Sequence, residues 1–135
     1  MSHFTCIQTQ IKDVNCLVNA LDDVGFPTVE VHETAQSLYG YQGDVRPETA
    51  EVIIRRQYVG KQSNDIGFKT QENGTLKAII SEYDRRQYSQ QWLNKLTQRY
   101  GYHTLVKTAQ EQGYSIEENE VLEDGTMRVV VAGWV

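Results

Sequence analysis

The segment from Asp13 to Pro27 constrains this chain more than any other. Asp13 is a residue type that caps a helix by accepting from its first free amides. Val14, Leu17, Val18, Leu21 and Val24 follow at helical spacing and predict a helix with one apolar stripe. Gly25 stands where the chain leaves the helix, Phe26 supplies the apolar contact that accompanies such an exit, and Pro27 blocks continuation. A stripe of this kind has to be buried against another element, and the segments on either side have strand character.

Residues 3–11 are rich in β-branched and aromatic types and read as a first strand, and residues 28–34 alternate as a second. Residues 35–49 carry Gly40, Gly43, Pro47, Tyr39 and Tyr41 and read as a loop or an irregular hairpin. Residues 51–58 predict a third strand, and residues 59–64 are polar and expected to be exposed. Residues 65–70 and 76–82 flank Asn73-Gly74, a pair that tolerates positive φ at both central positions, so a hairpin is predicted there. Residues 114–121 and 126–134 flank Asp124-Gly125 in the same way.

Between Arg86 and Gln112 the pattern is helical, through Trp92, Leu93, Leu96, Tyr100, Leu105, Val106 and Ala109. Unbroken, such a helix would run to roughly 40 Å at about 1.5 Å per residue, so a kink or two shorter helices meeting near Gly101 are expected. The order β-α-β-β-β-β-α-β-β predicts an α+β class: a single antiparallel sheet with helices packed on one face, a ferredoxin-like variant being one such arrangement. The length of 135 residues fits one domain spanning the chain. Hydrophobic residues make up 39%, which suits a sheet covered on one side only.

The short motifs form a set in order: Met1-Ser2-His3-Phe4, the Tyr/Gly-rich middle, Asp65-Ile66-Gly67-Phe68, Gln112-Gly113-Tyr114 and Glu123-Asp124-Gly125-Thr126-Met127-Arg128. Together they resemble the cyanobacterial and plastid family called hypothetical chloroplast reading frame thirty-five, and the resemblance covers essentially the whole chain. It implies a cyanobacterial cytoplasm or plastid stroma. It implies no activity, so any site has to come from the residues themselves.

No apolar run approaches the ~20 residues needed to span a bilayer, and the N-terminus lacks the basic and apolar regions of a secretory signal. Cys6 and Cys16 are read as ordinary thiols of a reducing compartment, Cys16 on the flank or outer side of the first helix. His3, His32 and His103 share no metal-ligand spacing with each other or with the cysteines, so no metal and no cofactor is expected. Catalytic motifs are also missing: there is no Gly-x-Ser-x-Gly turn, and Gly40-Tyr41-Gln42-Gly43 is no phosphate cradle. No catalytic residue is assigned.

A net charge of −5 disfavours nucleic acid as a partner. The charge is unevenly spread. Residues 85–108 hold five cations and no acid, and residues 111–125 hold six acids and no base, so the basic helix is expected to lie beside the acidic hairpin and be partly neutralised by it. Within 83–103 the chain crowds Arg85, Arg86, Tyr88, Trp92, Arg99, Tyr100 and His103 together with two further tyrosines. Trp92 and Leu96 can serve as core with the cations as a solvated edge. The same types are those enriched at interface hot spots. These seven residues are taken as the expected binding region of a non-enzymatic accessory protein that docks on a protein partner. The alternative is a small-molecule binder or small enzyme with a pocket between sheet and helix, drawing on His3, Arg86, His103 and Asp65.

Overall fold

A computed structural model of the chain describes residues 3–123 and 126–133. After strand β1 (Phe4–Gln8), the predicted helix forms as α1 (Val14–Asp23). Its ends are held as the sequence requires. The Asp13 side chain accepts from the Cys16 amide at 3.0 Å. Beyond the other end Gly25 takes φ +104° and the Phe26 amide donates to the Leu21 carbonyl at 2.8 Å, so the last carbonyls are not stranded.

Four more strands complete an antiparallel sheet: β2 (Glu30–Tyr39), β3 (Val45–Ile54), β4 (Ile66–Thr70) and β5 (Leu76–Ser81), in the order β1-β5-β4-β3-β2. The α+β class is as expected. Alternation along the strands decides the faces. Val52, Ile54, Ile66, Phe68, Ala78 and Ile80 pack with Leu17, Ala20 and Leu21 of α1 and with Leu93 and Leu96 of α3 (Gln90–Glu111). Both long helices therefore lie on one face. The β4–β5 connection is the predicted hairpin, although Gly74 alone takes positive φ, at +87°. Asn73 keeps negative φ, and its side chain accepts from the Thr75 amide at 3.0 Å.

The second face is covered too, by the hairpin of β2 and β3. Val31 pairs with Val52, but the next partners are Gln36 and Ala50, so β2 spends five residues where β3 spends two. This bulge bends the hairpin's outer half across the sheet. Leu38 and Ala50 settle over Gly67, which sits between Ile53 and Ile79, and these four apolar residues form a second buried cluster. A Cβ on Gly67 would lie 2.7 Å from Ala50 Cβ and 3.0 Å from Leu38 Cδ2, so the close approach requires glycine. The Arg46 guanidinium carbon lies 5.6 Å from the Phe4 ring centroid on the opposite edge strand. The sheet is thus covered on both sides, where the composition had suited one.

Other elements depart from expectation for local reasons. The third strand stops at Ile54, not Tyr58, because Asp65 takes the Arg56 amide at 2.7 Å and diverts the chain into the short helix α2 (Arg56–Val59). Within the supposedly exposed stretch, Val59, Ser63 and Asn64 are buried. Cys16 is buried as well, not on an outer flank. Residues Asp84–Arg86 form a 3₁₀ turn before α3 begins. Helix α3 then runs 22 residues without interruption. Gly101 faces open space and lowers helix propensity by about 1 kcal/mol, too little to break a helix supported on both sides of it. That helix carries the chain beyond the sheet. Strands β6 (Tyr114–Val121) and β7 (Met127–Gly133) consequently pair as a separate two-stranded sheet beside α3 and do not extend the main one. Asp124, Gly125 and Trp134 lie outside the described residues.

Candidate functional site

The most elaborate polar construction in the molecule surrounds the segment from Arg55 to Asp65, which joins β3 to β4. Asp65 is fully buried. Its Oδ1 accepts the Arg56 amide at 2.7 Å, and its Oδ2 accepts the Tyr39 amide at 2.7 Å and Arg55 Nη1 at 2.8 Å. Arg55 also grips Glu30 with two bonds, Nε to Oε2 at 2.7 Å and Nη2 to Oε1 at 2.8 Å, and its guanidinium carbon lies 4.8 Å from the Tyr39 ring centroid. His32 Nε2 sits 2.8 Å from Glu30 Oε1. The hydrogen bonds from Arg55, against some desolvation and with help from His32, lower the Glu30 carboxyl to about 2. The planar fork of arginine suits this bidentate role.

A second buried carboxylate holds the far end of the same segment. Asp84 Oδ2 accepts the Asn64 amide at 2.9 Å, Ser81 Oγ at 2.8 Å and Asn64 Nδ2 at 3.3 Å. Asn64 Oδ1 in turn accepts the Tyr41 amide at 2.9 Å, tying in the β2–β3 turn. Tyr88 donates its hydroxyl to the Val59 carbonyl at 3.1 Å. Asp65, Asn64, Ser81 and Asp84 Oδ2 are thus bonded to one another or to nearby amides, as groups removed from water must be.

The surface over this scaffold has two clefts. One, of about 550 Å³, is bordered by Lys61, Gln62, Tyr83, Asp84, Arg86 and Gln87. The other, of about 400 Å³, is bordered by Glu30, Tyr39, Arg55, Arg56 and Asp65. Tyr41, Tyr58 and Tyr83 are exposed around them. The cations divide into two groups. Arg46, Arg55, Arg99, Lys107 and Arg128 each face a carboxylate. The other eight of the thirteen face none among the described residues, and of these Lys61 and Arg86 border the first cleft; Arg86 is held 4.2 Å over the Tyr83 ring, its Nε donating to the Tyr83 carbonyl at 3.1 Å.

The seven residues expected to form a binding region separate into three environments. Tyr88 is buried and Trp92 and Tyr100 are half-buried against the main core, where Trp92 meets Tyr88 and Phe26 edge-on at 5.1 and 6.1 Å. The Tyr100 hydroxyl accepts the Lys12 and Asp13 amides, both at 2.9 Å, at the start of α1. Arg99 and His103 bind Asp23 at 2.9 and 2.6 Å, so they fasten α3 to α1. Lys107 does the same through Asp13 at 2.5 Å. These cations, expected against the acidic hairpin, are therefore spent on α1. Arg86 is exposed and Arg85 half-buried, its Nη1 donating to the Tyr88 carbonyl at 3.3 Å. The pocket residues of the alternative do not converge: His3 lies at the β1–β5 edge, His103 on Asp23, Asp65 under Arg55 and Arg86 on Tyr83. No group of three or more His, Cys, Asp or Glu among the described residues is placed to hold a metal ion. No helix among them is long and apolar enough to cross a membrane.

The profile of the family described as "Protein of unknown function (DUF1257)" matches residues 20–130. The chain belongs to that family. Three relatives titled "Uncharacterized protein ycf35" are similar along nearly the full length of both partners, covering 99% of this chain and 98% of each relative: those of Guillardia theta at 29% identity and of Pyropia yezoensis and Cyanophora paradoxa at 27% each. No solved structure matches. The family match spans every residue of the two clefts. The sequence did not announce Tyr39, Arg55, Asn64 and Asp84, because each has a partner 20 or more positions away, nor Lys61, whose place on the cleft depends on the fold. The nearest signal was the pair of unexplained acids, Asp65 and Asp84, bracketing hydrophobic strands.

Proposed function

We propose that this family member is a non-enzymatic accessory protein that docks an acidic protein partner on the cationic, tyrosine-bearing surface around Lys61, Tyr83, Arg85 and Arg86, in a plastid stroma or cyanobacterial cytoplasm. The observation that carries this is that Lys61 and Arg86, neither in an ion pair, border one cleft together with the exposed Tyr83, in a chain of net charge −5. Tyr and Arg are the residue types that dominate interface energetics. The scaffold beneath, with Asp65 and Asp84 buried and bonded, holds the surface rigid, which lowers the cost of ordering on association.

Capture from a plastid extract of one of the three relatives' organisms tests it. The parent protein is expected to retain a defined partner at about 0.1 M salt and release it at about 1 M, where screening shortens from about 10 Å to 3 Å. The double change Lys61→Glu and Arg86→Glu should abolish capture while leaving the melting temperature nearly unaltered. Equal capture by parent and double variant would overturn the proposal.

A further inference from the structure

We infer that the cleft of about 550 Å³ is the seat for an extended acidic peptide segment, with a carboxylate on Lys61 and Arg86 and a backbone N–H on Asp84 Oδ1. This rests on the docking proposal above and specifies what the partner presents. The cleft lies within the ~300–1,000 Å³ range of ligand sites. Its distinguishing feature is the Asp84 carboxyl, only 3% exposed, on its border. Oδ2 is taken by the Asn64 amide, Asn64 Nδ2 and the Ser81 hydroxyl, which fix the group in position. Oδ1 receives no hydrogen bond from any described residue. An acceptor held still at the cleft wall and not taken up by the protein's own donors is available to an N–H that enters the cleft.

The neighbours of that oxygen decide what supplies it. Lys61 and Arg86 call for an anion, and the Tyr83 ring already holds the Arg86 guanidinium flat. A simple anion would satisfy them but would sit against the Asp84 carboxyl. An acidic residue in an extended chain offers both requirements at once, a carboxylate on its side chain and an N–H on its backbone. Gln62 and Gln87 border the same cleft, and their amides can both donate to and accept from a peptide backbone.

The test is fluorescence anisotropy with a labelled, end-blocked Gly-Glu-Gly-Glu-Gly peptide, its Gln-substituted counterpart and inorganic phosphate as competitor. The Glu peptide should bind at least tenfold more tightly than the Gln peptide. Lys61→Ala with Arg86→Ala should remove at least tenfold of that affinity. Lys12→Ala with Lys95→Ala, an equal charge change at two exposed positions outside the cleft, should remove none. Asp84→Asn can keep its internal bonds through the amide oxygen while turning an N–H₂ toward the cleft, so peptide affinity should fall several-fold and phosphate should compete better. If that variant does not fold, N-methylation of the peptide bonds one at a time replaces it, and loss of binding at one position is expected. The inference is overturned if the Gln peptide binds equally, if phosphate competes with the parent as well as unlabelled peptide does, or if neither Asp84→Asn nor any N-methylation changes binding. Partner capture that stays charge-dependent while the peptide fails would remove this inference alone, whereas charge-independent capture removes the docking proposal beneath it.

Discussion

A tryptophan beside arginines is ambiguous until its neighbours are known. Trp92 stands on α3 where Phe26 follows the end of α1 and Tyr88 precedes α3, and the three rings close one corner of the main core. Its size and type fit a hot spot equally well, and residue identity cannot say which side of the helix the rest of the chain occupies. Asp13 and Gly25 were legible because their partners lie within five residues. Asp84 was not, because Asn64 sits 20 positions before it. Trp92→Ala is expected to cost about 3 kcal/mol, as for a large aromatic removed from packed surroundings. Urea denaturation measures it, and a variant as stable as the parent would place Trp92 outside the core.

At the scale of elements, hydrophobic alternation reveals a strand's two faces but not what covers them. The β4–β5 hairpin and α1 follow from local turn and capping chemistry. The folding of β2–β3 over the second face depends on a bulge, and residues 32–35 carry no glycine or proline to announce it. The continuity of α3 was hidden in the same way, since the ion pairs that support its second half come from Asp23 and Asp13, 80 and 94 positions away. Gly67 is the element-level test. Gly67→Ala drives a methyl to 2.7 Å from Ala50 Cβ and should destabilise by about 1–3 kcal/mol. Adding Ala50→Gly should recover part of that loss, because the two positions share one contact. A Gly67→Ala protein with an unchanged denaturation midpoint would mean the hairpin does not lie on the sheet.

For the molecule as a whole, the Arg55–Glu30 pair links an edge strand to the segment under the clefts, and it gives stability a defined acid dependence. Glu30 titrates at about 2 when folded, against an ordinary value of 4.5. Its contribution is complete above about 4.5 and fades as pH falls toward 2. With the Glu30 side chain 40% exposed, that contribution is only ~0–1 kcal/mol. The difference in denaturation midpoint between the parent and Glu30→Gln should therefore narrow on acidification below about 4.5, and a difference that stays constant would exclude this origin. The strand order has a consequence for synthesis as well. Among the described residues strand β1 pairs with β5 alone, Phe4 opposite Ser81, so this strand leaves the ribosome some 70 residues before its partner exists. At about 5–20 residues per second that interval is roughly 4–14 s. Throughout it the nascent chain carries an unpaired strand, and the arm ending near Arg46 has no Phe4 edge to close against.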